Sequence, residues 1–178
     1  MDNMTEKSQR EYSRVDASIP LGIRPITNEE RQRVKSRISG DVTLRELPFD
    51  EPSDKVLAEW LKLINSKLDY LLNAFSLQQE GFHCLPVYDV NISGGGMSFI
   101  YEPPQEIGSV IEFKTVLDSP SPIALYLYGE VVKCEKINEN YRIAVKFINI
   151  EEDIRDHIIR FVFHRQRQLL RQKKEMLK

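Results

Sequence analysis

Between residues 57 and 75 the apolar positions recur at a single spacing. Leu57, Leu61, Ile64, Leu68, Leu71 and Phe75 follow one another at intervals of 4, 3, 4, 3 and 4. That is a heptad seam sustained for nearly three heptads, and it predicts a long helix over 53–79. Ser53, directly after Pro52, suits the N-cap. A second stripe runs through Val56, Trp60, Leu63 and Tyr70. One helix cannot bury both stripes alone. The pattern therefore calls for a partner, either inside the chain against a helix over 28–39 and the strands, or in another copy.

The rest of the chain changes period. Ile19, Leu21 and Ile23 alternate with other residues, the pattern of a half-buried strand, and Pro20 and Pro25 mark it as an edge or irregular strand. Thr27 and Glu30 form a capping-box pair, and Gly40 reads as a stop, which predicts a short helix over 28–39. After Gly81 strands are expected at 84–92, 96–101, 107–117, 123–134 and 141–149. They are separated by Gly94-Gly95-Gly96, Pro103-Pro104, the Ser-Pro repeat at 119–122 and Asn138-Glu139-Asn140. Short, closely spaced strands of this kind suggest an antiparallel sheet or small barrel. A helix from 151 closes the chain. It is acidic at its start and basic at its end, and Ile154, Ile158, Phe161 and Val162 form its docking face. Beyond Phe163 it is expected to project into solvent.

Composition narrows the choice of function. The 178 residues carry 25 Lys+Arg against 27 Asp+Glu, a net charge of -2, which argues against generic coating of nucleic acid. No run reaches the roughly 18 apolar residues a membrane span needs, and the polar N-terminus has no signal-peptide core. Membrane insertion is not expected, and a cytoplasmic location is. Cys84 and Cys134 read as reduced thiols, and the three histidines form no metal-ligand pattern. No nucleophile–base constellation is visible, so an enzyme is not expected and no cofactor is implied.

Two patterns carry candidate chemistry. Arg10 and Arg14 stand four apart in Arg-Glu-Tyr-Ser-Arg, just before the first strand. A guanidinium offers a planar donor fork to a phosphate or to the O6/N7 edge of guanine, and it can stack on a base. Asn91, Ser93 and Gly96 lie in Asn-Ile-Ser-Gly-Gly-Gly, between two expected strands. An Asn and a Ser two apart on a strand share a face, and the glycines allow a sharp turn and close approach of a ligand.

Together and in this order, Arg-x-x-x-Arg followed by Asn-x-Ser-x-x-Gly resembles the signature of the PilZ domain, a family of bacterial receptors for the second messenger cyclic di-GMP. The resemblance covers roughly 7–26 and 82–170. It implies a mainly β fold with α additions: a six-stranded antiparallel β-barrel, inserted helices after the first strand and a long C-terminal helix. The expected division is 1–26 for the arm and first strand, 27–81 for a helical insertion, 82–150 for the remaining barrel and 151–178 for the closing helix. The resemblance further implies that Arg10 and Arg14 grip phosphates and guanines from an N-terminal arm. Asn91 and Ser93 would contact the ligand from the barrel, and Gly96 would hold the turn. The insertion resembles a self-assembly element of atypical relatives, so a homo-oligomer through a coiled coil of helix 53–79 is expected. The downstream protein partner stays open. The alternative is a scaffold or adaptor that assembles through its helices without binding nucleotide.

Overall fold

The computed structural model describes residues 12–39, 54–118 and 122–176. Strands β1 (Arg14–Pro25), β3 (Val87–Ser93), β4 (Gly96–Tyr101), β7 (Asn140–Ile148), β6 (Ile123–Ile137) and β5 (Val110–Leu117) follow one another around a closed antiparallel barrel. The β1–β5 pairing joins the two ends of this order, and β2 (Arg37–Ile38) adds a short edge to β6. The helices are α1 (Asn28–Arg31), α2 (Lys55–Gln79) and α3 (Glu152–Met176).

The barrel interior is built from alternation. In β1, Val15, Ala17, Ile19 and Leu21 point inward, and the residues between them are more exposed. Ile92, Phe99, Phe113, Leu127, Ile143 and Val145 complete the packing from the other strands. Ile154, Ile158, Phe161 and Val162 of α3 join the same cluster, so the closing helix is part of the core. Contact continues past Phe163, contrary to expectation. Leu169 packs on the core, and the Gln166 amide donates to the Arg14 carbonyl at 2.9 Å.

Two sequence expectations change before the long helix. β1 begins at Arg14, five residues ahead of Ile19, because Val15 and Ala17 extend the same inward alternation. The helix expected over 28–39 is a single turn, Asn28–Arg31. Its Thr27–Glu30 capping box forms, but none of its residues is buried, so no apolar face carries the helix further. Residues 37–38 pair with β6 instead. The expected stop at Gly40 and the Ser53 cap lie outside the described residues. The observed N-cap of α2 is Asp54, whose carboxylate accepts from the amides of Val56 and Leu57.

The long helix forms where its seam predicts, yet no residue of it is buried. All six seam residues are exposed, as are Val56, Trp60, Leu63, Tyr70 and Leu72. The reading in which the seam packs inside the chain is therefore set aside. α2 ends at Gln79, and Gly81, just past the Glu80 cap, takes a left-handed φ of 78°, the usual C-terminal use of glycine. The chain then anchors to the barrel. Phe82 is buried edge-on against Tyr126 with ring centroids 5.4 Å apart, and Arg37 lies 3.9 Å over the same tyrosine ring. Lys114 Nζ donates to the Glu80 carbonyl at 3.1 Å. Burial alone would raise the Glu80 carboxyl, but Tyr126 and the cations Arg37 and Lys114 hold it below the usual carboxylate range.

Candidate functional site

Strand register decides whether the two motifs meet. β1 runs antiparallel to β3 with Arg14 opposite Ser93, Asp16 opposite Asn91 and Ser18 opposite Asp89. β3 pairs with β4 so that Ser93 faces Gly96 and Asn91 faces Ser98. β4 in turn places Gly96 opposite Lys146 and Ile100 opposite Arg142 on β7. Because side chains two apart share a face, the outer wall carries successive rows. The first is Arg14, Ser93, Gly96 and Lys146, and the second begins with Asp16, Asn91 and Ser98. Arg14 thus stands beside the second motif although 76 residues, 15–90, separate it from Asn91. Arg10 lies outside the described residues.

A groove of about 540 Å³ lies on this wall. Asp16, Ser18, Asp89, Asn91, Ser98 and Arg142 line it from the strands, and Arg165 borders it from α3. Within it the Asn91 amide donates to Asp16 Oδ1 at 2.8 Å, and the Ser18 hydroxyl donates to Asp89. The groove therefore holds carboxylate acceptors together with two guanidinium groups. That mixture suits a ligand with both anionic groups and N–H donors.

Ser93 and Gly96 have structural duties. The Ser93 hydroxyl is buried and donates to the Gly96 carbonyl at 3.1 Å across the β3–β4 turn. A Cβ on Gly96 would stand 2.2 Å from the Val145 carbonyl oxygen, so only glycine lets β7 approach this closely. None of the three glycines 94–96 takes a left-handed φ; among the described glycines only Gly81 and Gly108 do. Close approach, not turn conformation, is the reason for glycine here. Pattern reading missed Asp16, Ser98, Arg142 and Arg165. Their positions in the sequence carry no motif, and only the register brings them to one wall.

The PilZ domain family model matches residues 70–164, more than half of the chain, and the chain belongs to that family. The matched segment includes Asn91, Ser93 and Gly96 and begins after Arg10 and Arg14. Among solved structures the fold is similar to a pathogenic protein from Xanthomonas campestris, described as a tetrameric PilZ domain self-assembled through an unusual helical bundle. The TM-score is 0.58 at 14% identity, over 90% of this chain and 91% of that one, a likeness of fold. No curated protein matches the chain.

Proposed function

We propose that this chain is a bacterial cyclic di-GMP effector: a cytoplasmic receptor, not an enzyme, that binds the dinucleotide on the outer wall of its barrel and signals to a protein partner as a homo-oligomer. The observation that carries the reading is the β1–β3 register, which sets the Arg14–Ser93 pair in the row next to Asp16 and Asn91, and these last two line the groove. Family membership supports the ligand class. Arg14 would meet phosphate or the O6/N7 edge of guanine, with Arg10 joining it from the preceding segment. Asn91 would reach the ligand from β3, while Ser93 and Gly96 keep the β3–β4 turn tight enough to present it.

Assembly is the second part of the reading. A helix of 25 residues with its seam exposed leaves a large apolar face in water, which favours self-association. The neighbour's tetrameric helical bundle is consistent with a helix used this way. Among the described residues no helix is long and apolar enough to cross a membrane. The same exposure supports the alternative, a scaffold that assembles without nucleotide. Calorimetric titration with cyclic di-GMP separates them. Saturable binding by the wild type that is weakened in Arg14→Ala supports the receptor. No heat at high ligand concentration supports the scaffold.

A further inference from the structure

Tyr12 lies midway between the two arginines of the first motif, and its surroundings are specific. Its ring faces the β3–β4 turn so closely that a Cβ on Gly94 would stand 3.0 Å from Tyr12 Cδ1, and one on Gly95 3.1 Å from Cδ2. The guanidinium of Arg155, on the first turn of α3, sits 5.6 Å from the ring centroid. Arg155 Nη1 also lies 3.4 Å from both the Tyr12 hydroxyl and the Gly94 carbonyl. Two residues on, the Arg14 carbonyl accepts from Gln166 of the same helix at 2.9 Å. The chain leading into β1 is therefore held at two points, by a ring seated on a glycine turn and by a backbone bond to α3.

Gly94 and Gly95 have ordinary backbone angles, so their lack of a Cβ serves that seat. Gly94 also makes room for Ile159 of α3, at 2.8 Å, whereas the atoms met by a Cβ on Gly95 belong to Tyr12 alone. We propose that Tyr12 is the positioning residue of the proposed nucleotide site: seated on Gly94–Gly95 beneath Arg155, it fixes Arg14 opposite Ser93 on the β1–β3 wall. This rests on the receptor reading above. An Arg14 held in place before the ligand arrives spares the complex the entropy of ordering it on binding.

The test uses the full chain and two readouts, the dissociation constant for cyclic di-GMP and the rate of tryptic cleavage after Arg14 without ligand. Tyr12→Ala is expected to weaken binding by about tenfold or more through the lost pre-ordering and to speed that cleavage, with the thermal midpoint near that of wild type. Gly95→Val, which crowds the ring from the other side, should reproduce both effects. Tyr12→Phe keeps the ring that sits on Gly94 and Gly95 and should stay within about threefold of wild type. Wild-type affinity and wild-type cleavage in Tyr12→Ala would overturn the proposal, and so would a Tyr12→Ala effect that Gly95→Val fails to reproduce. If the wild type itself binds no cyclic di-GMP, the receptor reading and the positioning role both fall, whereas binding that is indifferent to Tyr12 overturns the positioning role alone.

Discussion

Replacing Gly96 by alanine probes the tightest approach in the barrel. The new Cβ would lie 2.2 Å from the Val145 carbonyl oxygen and 3.2 Å from Lys146 Cα, both backbone atoms of β7. Real Cβ atoms stay beyond 3.0 Å, so the two strands must separate at the Gly96–Lys146 pair. Overpacking of this kind costs about 1–3 kcal/mol. Separation also strains the Phe147 amide to Gly95 carbonyl bond at 3.0 Å and the Ser93 hydroxyl to Gly96 carbonyl bond at 3.1 Å. Each is worth about 0.5–1.5 kcal/mol. The total is about 2–6 kcal/mol, a large share of a stability on the order of 5–15 kcal/mol. Urea unfolding followed by far-UV circular dichroism would measure it. Gly22→Ala is the matched control, since its Cβ meets the end of the flexible Leu85 side chain at 2.9 Å, and a loss below about 1 kcal/mol is expected. A loss under about 1 kcal/mol for Gly96→Ala, or equal losses for the two variants, would refute the reasoning. Loss of ligand binding in Gly96→Ala would accordingly report a disturbed wall, not a missing ligand contact.

Other consequences concern assembly, the turn and pH. Leu61→Glu with Leu68→Glu places charge in the exposed seam and should move the protein toward monomer in analytical ultracentrifugation, with the barrel's unfolding midpoint unchanged. Ser93→Ala removes a buried hydroxyl that braces the turn and should cost about 1 kcal/mol in urea unfolding. Burial and neighbouring carboxylates push the hydroxyls of Tyr126 and Tyr128 up to about 12 from 10. The unfolded chain therefore ionises first, and stability should be full below pH 10 and fall as pH rises toward 12; Tyr128→Phe should flatten that fall. Burial would raise the Glu112 carboxyl, but the Arg24 fork at 3.0 and 3.1 Å and the Tyr128 hydroxyl at 2.8 Å hold it below 4.5. Its contribution is present above pH 4.5 and should be lost below it, measurably so by comparison with Glu112→Gln.

What the sequence reveals here is what is local or periodic. The α2 seam and the alternation of the later strands are legible because each repeats within one element. The capping box at Thr27 and Glu30 is equally legible, yet a cap starts a helix without sustaining it, and α1 stops after one turn for want of an apolar face. β1 is longer than expected because Ala17 and the polar residues around it give a faint inward pattern. The site is less legible because it depends on register. Arg14 beside Ser93, and Arg142 and Arg165 beside the groove that Asp16 and Asn91 line, follow from contacts between distant segments. The glycines of the second motif look like turn residues, whereas Tyr12, Ile159 and the Val145 carbonyl, all remote in sequence, are what require them.

The central claim is that two motifs far apart in the chain form one ligand site, and a double-mutant cycle tests it most directly. Cyclic di-GMP would be titrated into the wild type, Arg14→Ala, Asn91→Ala and the double variant. Each single change is expected to weaken binding by about 1.5–3 kcal/mol, as for a lost charge-assisted bond. The double variant should bind more weakly than either single variant, because both groups hold one ligand. An Arg14→Ala or Asn91→Ala variant that binds as tightly as the wild type would contradict a single site on the β1–β3 wall.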